Sequence, residues 1–442
     1  MPRAAGGFIR DHCLAFLFAF GLPSLVALAG DGDWSSFQSG GSSAVQASVA
    51  TKWAAGKPFA WESETFGYGQ STPVILASTV YVTSTSGDNK EQYHVSALEL
   101  STGKLKWRKD FSNPTPEKNS TYVSRAAPTP VVDEAGVYAF FEGGLLVALD
   151  PAGEQRWKRD LVSEFGAISA RHGIASSLEH DSDQLFVWVE RSEEPYLMAV
   201  SKSTGSENWK VPGLGSTTWS TPRLTPVDDS AKHLVCSASG KIVGFDPESG
   251  RRLWEFDQIS GNTSCTPFPV GNGRFLIGAS DGRGEENAGK GAASNGIIQI
   301  AKNDSGDWSA EFQWQAKKAT SSFGSPIASA DSAFIVNRVG VLYRLDLETG
   351  KAAPPMRLKC GGIWATPLIA GGKLYLFGSK GTTSVVDLAT NEEEIANTTW
   401  EVEAWEEGEE RSFGGSVLYA GVVAGDTLIL RRGDRVYAVA AN

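Results

Sequence analysis

Cysteine is scarce in this sequence: there are four in 442 residues, none adjacent to another and none at CxxC spacing. A disulfide framework or a structural zinc site needs more thiols at closer spacing, so neither is expected. Cys13 lies in an apolar N-terminal run, while Cys236, Cys265 and Cys360 read as buried free thiols. His94, His172, His180 and His233 are scattered without metal-ligand spacing. HExxH pairs, phosphate loops and GxGxxG turns after a strand are all missing, which removes the common signals of metalloproteases and nucleotide enzymes. No Lys/Arg-rich block occurs either, and 40 basic against 51 acidic side chains leave a formal charge of -11. That balance excludes an electrostatic footprint for nucleic acid or anionic lipid.

The long apolar run stands at the N-terminus, where "CLAFLFAFGLPSLVALAG" follows Arg3 and Arg10 and ends in Val26-Ala27-Leu28-Ala29. Small residues at that end are what a signal peptidase reads, so residues 1–29 are expected to be an export signal and the mature chain to be soluble, periplasmic or secreted. A retained membrane anchor is the alternative. Gly21 and Pro23 interrupt the run, however, and it is short for a span.

What the chain does have is repetition. "ALELSTGKLKW" ends at Trp107, "ALDPAGEQRW" at Trp157, "AVSKSTGSENW" at Trp209 and "GFDPESGRRLW" at Trp254, with "RLDLETGKAAP" and "VVDLATNEEE" as further copies. The tryptophans recur at intervals of about 45 to 52 residues, the length of one four-stranded propeller blade. In each copy Asp150, Asp246, Asp346 or Asp387 is placed to accept backbone N–H bonds that close a turn. Gly103, Gly205, Gly250 and Gly350, with Asn391 standing in once, supply a positive φ. The small Ala97, Ala148, Ala199 and Gly244 leave room for a bulky neighbour, here read as the tryptophan of an adjacent copy.

A second phrase precedes each copy, as in "STPVI" at Ser71, "APTPVV" at Ala127, "STPRL" at Ser220, "CTPFPV" at Cys265, "GSPIA" at Gly324 and "ATPLI" at Ala365. Proline at the first position of a strand loses no ladder bond, so these read as inner strands. "SSLEH" at Ser176 and "GSVLYA" at Gly415 complete eight units. The last unit supplies three strands only, and "KPFAWES", with Trp61 at the blade-closing position, is expected to supply the fourth. The expected fold is therefore all-β: an eight-bladed propeller of four-stranded antiparallel blades, ring-closed by an N-terminal strand, with a leader over 30–56 and the propeller over 57–442. Trp61, Trp107, Trp157, Trp209, Trp254 and Trp400 are the expected blade-locking side chains.

The AxDxxTGKxxW-like phrase, clearest at Ala97 to Trp107, resembles the pyrroloquinoline quinone (PQQ) repeat, and "DWSSFQSG" at Asp33 to Gly40 is similar to the leader of exported proteins of that family. Length and architecture are similar to the BamB-like propellers, and the resemblance implies a non-enzymatic scaffold in outer-membrane protein assembly. The family's quinoprotein dehydrogenases carry an adjacent cysteine pair against the quinone and a calcium held by acidic and amide groups. Neither carries over to this sequence, so no cofactor and no metal are expected. "SDGRGEENAGKGAASNG", from Ser280 to Gly296, lacks the alternate-ligand spacing of a calcium loop and reads as an extended turn of the fifth blade.

Candidate contact residues are those just before each inner strand, which a propeller gathers at one mouth of its channel: Tyr68, Arg125, Arg171, His172, Trp219, Asn262, Phe323, Trp364 and Phe413. Their alternative role is to plug the channel. A second candidate surface is "WEVEAWEEGEERSFGG", with Trp405, Glu406 and Glu407 as anchors of a partner loop; Trp400 is assigned to closing the seventh blade. The expected partner is an envelope or secreted protein, the expected state a monomer. A PQQ-dependent dehydrogenase and a sugar- or peptide-binding module are the alternative functions.

Overall fold

The Asp-to-Gly phrase folds as the hairpin joining the third and fourth strands of a blade. In the computed structural model, which describes residues 33–119, 123–170, 172–215, 219–238, 240–280, 291–321, 323–401 and 417–441, the Asp150 carboxylate accepts from the N–H groups of Ala152 and Glu154, both at 2.9 Å. Gly153 takes the left-handed φ of 87° that completes the turn. Asp246, Asp346 and Asp387 accept in the same way from Glu248, Thr349 and Thr390. Asn391 holds the glycine position at φ 59°. Residues 1–29, expected to be an export signal, and most of the Ser280–Gly296 turn lie outside the described residues.

Eight sheets result. Blade one is Val74–Leu76, Thr79–Ser86, Gln92–Glu99 and Leu105–Ser112, from the inside outward. The inner strands of blades two to eight are Val131–Asp133, Glu179–His180, Arg223–Pro226, Phe268–Gly271, Ile327–Ser329, Leu368–Ala370 and Leu418–Ala424. Successive inner strands pack side by side around the central channel. Blade eight takes its outer strand from the other end of the sequence: Trp61–Glu64 pairs antiparallel with Arg435–Val439, from Trp61↔Ala438 to Glu64↔Arg435. Arg435 binds the carboxylates of both Glu62 and Glu64 across that seam. No helix among the described residues is long and apolar enough to cross a membrane.

The tryptophans lock each blade to the next, with a division of labour that differs from the sequence reading. Ala97, Ala148 and Ala199 are cross-strand partners of Trp107, Trp157 and Trp209 in the same copy, and a Cβ on Gly244 would come within 2.1 Å of its own blade's Trp254. The small residue thus seats its own tryptophan. The neighbouring copy contributes its turn glycine instead: a Cβ on Gly153 would lie 2.6 Å from Trp107, and one on Gly250 2.6 Å from Trp209. The indole N–H then donates to a carbonyl of the neighbouring turn, from Trp61 to Leu100 O at 2.7 Å, Trp107 to Pro151 O at 2.9 Å, Trp157 to Lys202 O at 2.9 Å and Trp209 to Pro247 O at 3.0 Å.

Three of these locks depart from the expected set. Trp314, not singled out from the sequence, donates to Leu347 O at 2.8 Å and joins blades five and six. Trp254 turns inward and donates to His233 Nδ1 at 3.0 Å, since blade five carries no copy of the phrase to receive it. Trp400 lies beyond the outer strand of blade seven, where Ile395 takes the paired position opposite Val385; its ring packs on Gly381 with the Arg432 guanidinium 5.4 Å away. Between blades six and seven, Arg344 Nη1 reaches Leu388 O at 2.8 Å and replaces the indole.

The leader stretches along the inner strands at the end of the channel where the first and second strands of each blade turn. Trp34 and Ile75 exchange two backbone bonds of 2.8 Å, Val132 N–H donates to Ser35 O at 2.9 Å, and Arg223 Nη2 donates to Phe37 O at 3.1 Å. Ala44–Val45 then adds a short parallel strand to blade seven. A left-handed run at Gln38, Ser39, Gly40 and Gly41 lets the chain bend across this end. Beneath it Arg223 and Glu179, both buried, pair at 2.8 Å.

Candidate functional site: the open mouth of the channel

The opposite end of the channel is ringed by the linkers that carry the chain from each outer strand to the next inner strand. They place the sequence-selected side chains in adjacent pairs. The Arg125 guanidinium stacks 3.5 Å from the centre of the Tyr68 ring. His172, whose φ of 77° is left-handed, lies 5.9 Å from Trp219, ring centre to ring centre. Phe323 and Trp364 meet edge to face at 5.6 Å. Arg171, Phe413, Trp405, Glu406 and Glu407 lie outside the described residues. Asn262 is fully buried, and its amide accepts from Gly240 N–H and donates to Ser237 Oγ and Lys241 O, so it builds a turn of blade four and does not line the mouth.

The two sides of the mouth differ. At blades eight, one and two many polar groups bond to one another, although Arg125 Nε and Arg431 Nε and Nη1 are buried without a hydrogen-bond partner. Tyr68 Oη lies 2.9 Å from Tyr419 Oη, and Gln70 Nε2 donates to Tyr419 Oη at 3.3 Å while its Oε1 accepts from Arg125 N–H at 2.9 Å. Burial first, and the neighbouring Tyr419 next, push the Tyr68 hydroxyl well above its ordinary pKa. Below them Arg431 is fully buried and donates to Thr83 O at 3.0 Å; burial holds its guanidinium down to about 10. Lys90 is also buried, donating to Ser124 O at 3.1 Å with Glu142 at 3.6 Å, and burial raises the Glu142 carboxyl. Charged groups held this way cross-link blades and are poorly placed to meet a partner.

At blades five to seven the side chains face water. Phe323 is 50% exposed, Val339 47% and Trp364 38%, three of the five large exposed apolar residues among those described. The Trp364 loop is pinned to the turns on either side, Ile363 N–H to Arg338 O at 3.3 Å and Ser379 N–H to Gly362 O at 2.7 Å. Arg338, Val339 and Lys380 are thereby brought beside the aromatic pair. The sequence reading looked only at linkers and missed them, although turns between second and third strands open on the same face.

The thiols do not form a site. Cys236, Cys265 and Cys360 are all buried, on blade four and on the linkers to blades five and seven. Burial raises all three, Cys265 to about 12, so none is a ready nucleophile. Without adjacent cysteines in the sequence, the residues present do not fit the quinone site of the dehydrogenases.

Comparison with known proteins agrees with this architecture. A family model described as outer membrane protein assembly factor BamB matches residues 43–173 and 169–354. The protein of that name from Shewanella oneidensis is 26% identical over 243 residues, 52% of this chain and 56% of its own length. The one from Escherichia coli is 25% identical over 215 residues, 48% of each. The chain spans about half the length of the curated relatives it matches. Among solved structures, BamB from Moraxella catarrhalis is similar with a TM-score of 0.57 at 13% identity, covering 85% of this chain and 97% of that one. A europium-containing methanol dehydrogenase is similar with a TM-score of 0.55 at 13% identity, covering 90% and 89%. At these identities the structural likeness speaks for the fold alone.

Proposed function

The chain belongs to the family of the outer membrane protein assembly factor BamB, and from that premise we propose that it is an exported, non-enzymatic scaffold that binds an envelope or secreted protein at the open mouth of its channel. The observation that carries this reading is the asymmetry of the channel: its own leader crosses one end, while the other presents Phe323 and Trp364 half exposed on a pinned loop. Aromatic side chains held in place lose little entropy on binding and supply large contact areas, which is why they recur as interface anchors.

The test is capture of partners from an envelope fraction by the immobilised mature protein, with Phe323→Ala/Trp364→Ala as comparison. Loss of a specific captured protein from the double variant supports the reading, and an unchanged capture pattern contradicts it. Titration with PQQ and calcium addresses the dehydrogenase reading, which the missing cysteine pair disfavours. Stoichiometric quinone binding followed by dye reduction on adding an alcohol would reverse the ranking.

A further inference from the structure

Four loops around Phe323 and Trp364 carry one sign of charge in their described residues. Lys317, Lys318, Arg338 and Lys380 are exposed, and none forms an ion pair among the described residues. The fifth cation, Lys359, lies 3.8 Å from Glu393 on the outer strand below. The described parts of the loops 315–326, 336–341, 358–367 and 378–381 contain no aspartate or glutamate. This is unusual for a chain with a formal charge of -11. The exposed Glu401 follows on the linker whose Thr399 N–H donates to Gly381 O at 2.9 Å, and the acidic residues of 281–286 and 403–410 lie outside the described residues. On the other side of the mouth the cations are spent, with Arg125 over Tyr68 and Lys90 on Ser124 and Glu142.

We infer that the mouth of blades five to seven is a docking site for an acidic, aromatic-bearing segment of a partner protein. The inference rests on the scaffold reading above and adds the chemistry of the partner. Phe323, Val339 and Trp364 provide an apolar floor for one or two large side chains. Arg338 and Lys380 flank that floor from the turns pinned to the Trp364 loop, and Lys317 and Lys318 extend the positive rim toward the outside of blade five. Free cations around an apolar floor select carboxylates beside aromatics, and unlike charges steer the encounter. An anionic bilayer is the other surface that pairs with basic and aromatic groups. A bilayer extends under the whole body and meets its net negative charge, whereas a short segment reaches only the local cations, within a Debye length of roughly 8 Å at physiological salt.

Fluorescence anisotropy tests this with a labelled synthetic peptide of glutamates interspersed with tryptophan and phenylalanine, and a counterpart with lysine for every glutamate. The full mature protein is compared with Lys317→Glu/Lys318→Glu/Arg338→Glu/Lys380→Glu, four exposed substitutions that leave the core untouched, and its melting temperature is recorded alongside. The acidic peptide should bind, the lysine peptide should not, and charge reversal should weaken binding by about tenfold or more at low salt, with the difference shrinking as salt is added. Equal binding of both peptides, or no effect of charge reversal, overturns the inference. So does binding to vesicles of phosphatidylglycerol and phosphatidylcholine in place of the acidic peptide. Envelope capture separates the two levels. If capture survives charge reversal but is lost in Phe323→Ala/Trp364→Ala, the mouth is the binding surface and its partner is not acidic. If capture survives both changes, the scaffold reading itself fails.

Discussion

The two sides of the channel mouth are built from equivalent loops of the same repeat, yet one is a cross-link and the other a surface. At the seam side, around blades eight, one and two, Tyr68, Arg125, Gln70 and Tyr419 contact one another above the buried Arg431. At blades five to seven the equivalent positions hold Phe323 and Trp364, which touch each other and otherwise face water. The seam is where the two ends of the chain are joined, by a single four-residue strand and its two Arg435 ion pairs. A ring closed at one short seam gains from extra bonds across it, and the polar residues of the mouth are concentrated there. Far from the seam the same loops are free to carry apolar and basic groups that do nothing for folding.

The largest expected effect is therefore at the seam. Deleting residues 30–63 removes the leader and most of the strand that completes blade eight, leaving an unpaired edge, and the product should aggregate or fail to melt cooperatively. A truncated protein that melts like the parent would break the closed-ring account. Next in size are the interblade locks. Trp314→Ala should cost about 3 to 5 kcal/mol in urea unfolding, because the ring is 8% exposed and bonded to Leu347 O. Trp107, only half buried, should cost about 1 to 2 kcal/mol. Equal costs would mean that the burial of the indole does not set the strength of the lock.

Acid should act on the packed side chains before it reaches the turns. Burial holds His180 and His233 down to about 4, and His233 accepts the Trp254 N–H through Nδ1, which requires the neutral ring. Both imidazoles bind a proton more readily in the unfolded chain, with its ordinary pKa near 6.5. Stability is thus fully present above about pH 6.5 and declines as the pH falls toward 4. Asp387, held at about 2 by the backbone N–H of Thr390 and by Lys373, contributes above the ordinary carboxylate range and loses its contribution only as the pH falls through 2. His180→Gln/His233→Gln should flatten the melting profile between pH 6.5 and 4. An unchanged slope would assign the decline to other groups.

Much of the ring was legible in the sequence because most blades repeat a turn whose chemistry is local, with two or three of an acidic acceptor, a residue at positive φ and a tryptophan. What escaped depends on packing between copies. Trp314 went unnoticed because blade five closes its hairpin with Asn303, which accepts from Ser305 and Asp307 N–H, and so lacks the phrase by which the other copies were found. Trp400 was assigned as a lock from its spacing, but the register puts Ile395 opposite Val385. At the mouth, the linker residues could be named from the repeat. Which of them spend their charge on a neighbour could not, since that depends on Arg125 of one linker reaching Tyr68 of the one before it.

The measurement that tests the central claim most directly sets binding against folding on both sides of the mouth in one experiment. Arg125→Ala, Phe323→Ala and Trp364→Ala are compared for melting temperature and for affinity toward a captured envelope partner. Phe323→Ala and Trp364→Ala should each change stability by less than about 0.5 kcal/mol while weakening binding by about 1 to 2 kcal/mol. Arg125→Ala should lower stability by about 1 kcal/mol and leave binding unchanged. The reverse pattern, with binding lost through Arg125 and kept without Phe323 and Trp364, would contradict the account and move the working surface to the seam.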